Sequence, residues 1–205
     1  MSKYGEEIPN HTREDIMEAT FVALCQHGYA DITMEKIAEG SDKSKSTLHY
    51  HYGTKEKLMV DFIKFLLEGF EDKIVPNSDD PLEKLNTLID RMLFGLKEGD
   101  THERFHTALL ELRSQAPYNE KYKKQITKND EVIQKIIVKI IEEGIEKGKF
   151  KDTNPERIAT IILSAIDGAR ARQISTDREA AENVREALDR IIESTLMKNS
   201  RGCKQ

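Results

Sequence analysis

The residues best suited to chemistry in this chain lie between positions 33 and 57. Ser44-Lys45-Ser46-Thr47-Leu48-His49-Tyr50-His51-Tyr52 is crowded with hydroxyl and imidazole groups and offers little to a core besides Leu48 and part of Tyr52. A helix made only for solubility would carry Glu, Lys and Ala. Hydroxyls, imidazoles and lysines donate to phosphate oxygens and base edges, so double-stranded DNA is the partner this composition suits. The charge agrees locally and not globally. The whole chain has 32 Lys and Arg against 37 Asp and Glu, a net charge of −5. Residues 1–57 hold seven Lys or Arg against ten acids, whereas 43–57 hold four lysines (Lys43, Lys45, Lys55, Lys57) against Glu56 alone. Lysine–phosphate contacts supply affinity independent of sequence. Thr54-Lys55 also opens a helix, whose first N–H groups point outward as a phosphate site.

A second constellation is His102-Glu103-Arg104-Phe105-His106, which matches H-E-x-x-H. On a helix it places two imidazoles one turn apart with a glutamate as general base. A metal-binding helical protein or a zinc hydrolase is therefore the alternative reading. Zinc chemistry needs a third ligand and an open position, and the next acid on that helix, Glu111, is about two turns on. No phosphate-cradling glycine loop or nucleophile elbow is present. The expectation is a protein that is not an enzyme, with no cofactor and no metal, His102 and His106 being the only candidate ligands.

The elements that must position these groups are all helical. Strand-like alternation is scarce and several long stretches have helical period, so the chain reads as all-α. A first helix from Thr12 carries Ile16, Ala19, Thr20, Ala23 and Leu24 and stops at Gly28. Thr33 caps a short second helix, Gly40-Ser41-Asp42 turns, and Ser44 caps the third; two short helices joined this way form a helix-turn-helix. Thr54 caps a fourth helix expected to run from Lys55 to about Ile74. Helices follow from Pro81 to about Lys97, Thr101 to Gln115, Asn119 to Lys147, Pro155 to about Ile174, and Asp177 to Met197. The expected organisation is a three-helix DNA-binding domain over 1–57 and a helical bundle for ligand binding and dimerisation over 58–205. Cys25 reads as a small core residue and Cys203 as a free thiol in a polar tail. With no apolar run near the roughly 20 residues of a membrane span and no apolar stretch at the N-terminus, the expectation is a cytoplasmic protein with no membrane partner.

Ile37-Ala38, Ser44-Lys45-Ser46-Thr47-Leu48, Tyr50-His51-Tyr52 and Lys55-Glu56-Lys57-Leu58 resemble the signature of the TetR family of transcriptional regulators, densely over about residues 12–60. Ala108–Arg113, Gly144–Phe150 followed by Pro155-Glu156, and Ile166-Asp167-Gly168 are similar to segments of that family's ligand domain. The resemblance implies DNA contacts from Thr33, from Lys43, Ser44, Lys45, Ser46, Thr47, His49, Tyr50 and His51, and from Lys55. The sequence departs from the family pattern in three places. Asp42 replaces a turn glycine, Lys43 replaces a buried valine, and His49-Tyr50-His51 stands where Tyr, His, Tyr is usual. The resemblance also implies an effector pocket bounded by the fourth to eighth helices, for which Phe62, Phe65, Leu66, Leu93, Phe94, Phe105, Leu109 and Ile137 are the candidates. Such pockets are mostly apolar.

The last two helices carry near-heptad stripes, Ile158, Ile161, Ile162, Ala165, Ile166 and Ala169 on one and Val184, Leu188, Ile191, Thr195 and Leu196 on the other. They suit a four-helix interface between two copies. A homodimer also answers a need, because one short helix reads too few base pairs for specificity. The function these readings converge on is a regulator, expected to be a repressor, released from a palindromic operator by a small apolar molecule.

Overall fold

The computed structural model describes residues 8–68, 70–95 and 100–198, and at 100–102 the backbone alone. Its described residues form ten α-helices and no strand, the all-α architecture expected. They are α1 (Asn10–Asp31), α2 (Met34–Glu39), α3 (Lys45–Tyr52), α4 (Lys55–Phe65), α5 (Phe70–Ile74), α6 (Pro81–Phe94), α7 (Asp100–Ser114), α8 (Glu120–Glu146), α9 (Pro155–Ser175) and α10 (Ala180–Thr195). Cys203 and the other residues beyond 198 lie outside the described residues.

Local chemistry sets most boundaries. Thr33, Ser44, Thr54, Asp80 and Asn154 each accept a backbone N–H with their side chain at the start of a helix, satisfying donors that have no partner within it. Pro81 and Pro155 occupy first turns, where no N–H is needed. In α1 the helical path breaks at Gly28, whose φ of 71° a side chain would resist.

The fourth helix is shorter than the sequence pattern suggests, ending at Phe65 rather than near Ile74. The reason is visible in the hydrogen bonds. Leu67 and Glu68 donate to Lys64 and Phe65, three residues back, so the last turn tightens. The Ile63 carbonyl, left without its Leu67 partner, instead accepts from Asn129 Nδ2 at 2.7 Å. Apolar spacing continues through the break, which is why periodicity alone misses it.

The chain divides into two compact units, each with its own core. The first comprises Met1–Glu68 and Gly99–Asn129. Its core gathers Ile16, Leu24, Ile37, Leu48, Leu58 and Phe62 with Ala108, Leu112 and Tyr122. This unit runs past residue 57, because α7 and the first turns of α8 share its core. The second unit comprises Gly69–Glu98 and Asp130–Gln205. Its core centres on Leu85, Leu88, Ile137, Ile141, Ile162 and Ile166. At the end of α8 the chain reverses: Lys149 and Phe150 both donate to the Gly144 carbonyl at 2.9 Å, and the Phe150 ring lies across Gly144.

Candidate nucleic-acid interface

The helix-turn-helix is held from below by a few apolar groups. In α3, Leu48 is fully buried and Tyr52 nearly so, one turn apart on the same face. Ser44, Lys45, Ser46, His49 and Tyr50 are exposed, Tyr50 by 54%, and Thr47 and His51 are half-buried. The side chains expected to reach DNA thus lie on the solvent face of a helix anchored by its opposite face. Thr33, at the start of α2, is exposed as well.

The turn resolves the first departure from the family pattern. No described residue other than glycine has a positive φ, so Asp42 does not need the left-handed conformation. Ser41 Oγ supports the turn by accepting from Lys43 N at 3.1 Å. Lys43, in place of an apolar residue, is half-buried and reaches Asp15 at 3.3 Å. Lys45 faces Glu35 at 3.1 Å, both exposed. His49 Nδ1 lies 3.3 Å from the Gly53 carbonyl. The His51 ring meets Tyr50 edge-on at 5.1 Å.

A polar cluster unnoticed in the sequence clamps α3 to its neighbours. Arg13 Nε and Nη2 donate to both Asp61 oxygens at 2.8 Å, and Nη1 and Nη2 reach Glu68 at 2.8 and 2.9 Å. The Tyr52 hydroxyl donates to Asp61 Oδ2 at 2.8 Å. Burial alone would raise the Asp61 carboxyl, but the bonds from Arg13 and Tyr52 outweigh it and hold the group below its ordinary value. Burial beside that charge pushes the Tyr52 hydroxyl up, so it stays a donor. The spacing 13, 52, 61, 68 follows no single helical period, so no local pattern reveals it.

Lys55 also sits in a network. Its Nζ donates to the Tyr29 carbonyl at 2.9 Å and lies 4.5 Å from the centre of the Tyr29 ring. Burial lowers its pKa, partly offset by Asp31. Tyr29 N–H donates to Glu111 Oε2 at 2.5 Å, and the two hydroxyls of Tyr29 and Tyr122 are 3.2 Å apart. In this structure the Lys55 ammonium is held inside its own unit.

The expected effector residues divide between the two units. Phe62, Phe65, Leu66 and Phe105 belong to or pack on the core of the first unit. Leu93 and Ile137 belong to that of the second, Leu109 is half-buried on α7, and Phe94 is 40% exposed. The H-E-x-x-H segment lies at the start of α7. The side chain of His102 is outside the described residues, and His106 is half-buried with its ring edge-on to Phe105 at 5.5 Å. Glu111 is engaged by Tyr29, and among the described residues no three His, Cys, Asp or Glu group as a metal site. Cys25 is half-buried, and burial raises its thiol pKa.

Comparison with known proteins gives this geometry a context. Residues 16–61 match the model of bacterial regulatory proteins of the tetR family, and residues 81–197 match that of the BetI-type transcriptional repressor C-terminal domain. A TetR transcription regulator from Haloarcula marismortui superposes with a TM-score of 0.80 at 38% identity, over 90% of this chain and 98% of that one. A putative transcriptional regulator from Saccharomonospora viridis in complex with choline shares the fold, with a TM-score of 0.78 at 20% identity, over 93% and 100%. The HTH-type transcriptional repressor AcnR of Corynebacterium glutamicum is 21% identical over 199 residues, 97% of this chain and 99% of its own length.

Proposed function

The chain belongs to the TetR family of bacterial regulatory proteins, and on that premise we propose how it works: two copies of α3 read the half-sites of a palindromic operator, and a small apolar molecule bound in the helical body releases them. It is a DNA-binding transcriptional repressor and not an enzyme. The observation that carries the reading of α3 is its two-sided construction. Leu48 and Tyr52 bury one face, and Lys45, Ser46, His49 and Tyr50 leave the other to solvent. In this proposal those four, with Ser44, Thr47 and His51, meet base edges and phosphates. Thr33 and Lys43 meet the backbone at the rim. Lys55 exchanges the Tyr29 carbonyl for a phosphate when DNA arrives. Selection of bound sequences from a random duplex pool tests this, with an enriched two-fold symmetric sequence as the expected outcome.

The partner copy meets α9 and α10. Ile161 is 45% exposed, and a side chain added at Gly168, two turns along the same face, would meet nothing within 4 Å. That open face of small and apolar residues suits close helix packing between protomers. The DNA partner makes the cytoplasm the working compartment, and among the described residues no helix is long and apolar enough to cross a membrane.

Release requires the effector to bind the DNA-incompetent state more tightly than the competent one. Leu93 and Ile137 are the effector candidates within the second unit's core, and Phe62, Phe65, Leu66, Phe94, Phe105 and Leu109 are those outside it. An effector that leaves operator affinity unchanged contradicts the release step.

A further inference from the structure

A second positive surface lies on the first unit, away from α3. Residues 121–128 read Lys-Tyr-Lys-Lys-Gln-Ile-Thr-Lys, four lysines and no acid. Tyr122 turns inward and is 1% exposed, while Lys121, Lys123, Lys124 and Lys128 face solvent. Lys121, Lys124 and Lys128 follow the i, i+3, i+7 spacing of a single helix face. They line an open groove of about 250 Å³ whose other wall is Lys57 and Val60 of α4.

The groove begins beside the N-terminus of α4. Glu56 accepts from Asn119 Nδ2 at 2.8 Å and from Lys121 Nζ at 2.7 Å, which ties the start of α8 to the first turn of α4. That turn is the helix end capped by Thr54, whose side chain accepts from Lys57 N. The facing charges are accounted for. Glu56 is engaged by Lys121, Glu120 lies 3.9 Å from Lys123, and Lys124 and Lys128 make no ion pair among the described residues. Lys124 and Lys128, one turn apart with no matching acid, repel each other unless a polyanion covers them.

We propose that this groove holds the DNA backbone outside the bases read by α3, so that the lysines of α8 extend the protein's footprint along the flanking duplex. The inference rests on the reading of α3 as the DNA-reading helix. Seven residues of helix span about 10 Å, and phosphates rise about 3.4 Å apart along one strand, so the ridge faces about three of them. Its continuity with the α4 N-terminus, itself suited to phosphate, favours the same DNA over a separate ligand.

The test uses the full-length protein and two duplexes, the selected core and the core extended by six base pairs at each end. Wild type is compared with the Lys124→Gln/Lys128→Gln double variant by fluorescence anisotropy across salt concentrations. Both side chains are exposed, so the variant should fold, and its melting temperature checks this. Each phosphate contact contributes about 0.9 to the slope of log affinity against log salt, and a dimer brings four such lysines. The variant should therefore lose about 3 to 4 from the slope on the long duplex, about a 100-fold relative change between 50 and 200 mM salt. On the core duplex it should match wild type. Equal losses on both duplexes, or no loss on either, overturn the inference while leaving the α3 reading intact. A protein that selects no sequence at all overturns both.

Discussion

Asp61→Asn is the most informative single change, because it alters one charge and almost no volume. Asp61 receives two bonds from Arg13 and one from Tyr52, all at 2.8 Å, with its side chain 23% exposed and that of Arg13 19% exposed. A charge-assisted bond contributes about 1.5–3 kcal/mol and a neutral one about 1 kcal/mol when shielded, and partial exposure weakens both. Asparagine keeps one acceptor but turns an N–H₂ group toward the guanidinium. The expected loss is about 2 kcal/mol, which lowers the melting temperature of a unit near 100 residues by about 10 °C. The pH dependence supplies a sign. Asp61 is depressed below its ordinary 3.8 in the fold, so its stabilisation is complete above that value. It is lost as the pH falls through the lower folded value. Thermal unfolding followed by circular dichroism should therefore show wild type and variant separated at neutral pH and converging in acid. A shift under about 2 °C at neutral pH, or a gap that persists unchanged in acid, refutes the clamp.

Other outcomes follow from the packing and from the proposed contacts. Gly144→Ala should destabilise the second unit by about 3 kcal/mol, since the new Cβ would lie 2.0 Å from the Phe150 ring; chemical denaturation measures it, and neutrality contradicts the close approach. Leu48→Ala should cost about 2–5 kcal/mol, whereas Tyr50→Ala should leave stability within about 0.5 kcal/mol and weaken specific DNA binding. Ile161→Asp should convert dimer to monomer in light scattering; an unchanged mass would move the interface elsewhere. Lys55→Ala should weaken binding to all DNA sequences alike and reduce the salt slope; loss of sequence preference at an unchanged slope would contradict a phosphate role.

Much of the fold was legible because local rules set it. Thr33, Ser44, Thr54 and Pro81 are where a reader of caps would put helix starts, and the stripe Ile16, Ala19, Thr20, Ala23, Leu24 is buried as its spacing implies. Thr20 fits that apolar stripe because its hydroxyl donates to the Ile16 carbonyl at 2.7 Å. What escaped was non-local. The end of α4 depends on Asn129, 66 residues away from Ile63, and the clamp on α3 joins Arg13 to Asp61 and Glu68. Lys55 was legible as a phosphate group by position, but its hold on Tyr29 required the fold. The lysines of 121–128 were in plain view, yet only α4 beside them makes a groove. The effector candidates rest on apolar period within a pocket that the family resemblance implies, and that period does not distinguish a pocket wall from a core; Phe62 and Ile137 are both fully buried.

The central claim is that α3 reads DNA as one of a pair. Hydroxyl-radical footprinting of wild-type protein on its selected duplex tests it most directly. The account predicts two protected patches related by a two-fold axis, with half-site centres about 34–36 Å apart or a multiple of that, and loss of both patches in the Ser46→Ala/Tyr50→Ala variant. A single asymmetric patch, or protection unchanged in that variant, would contradict it.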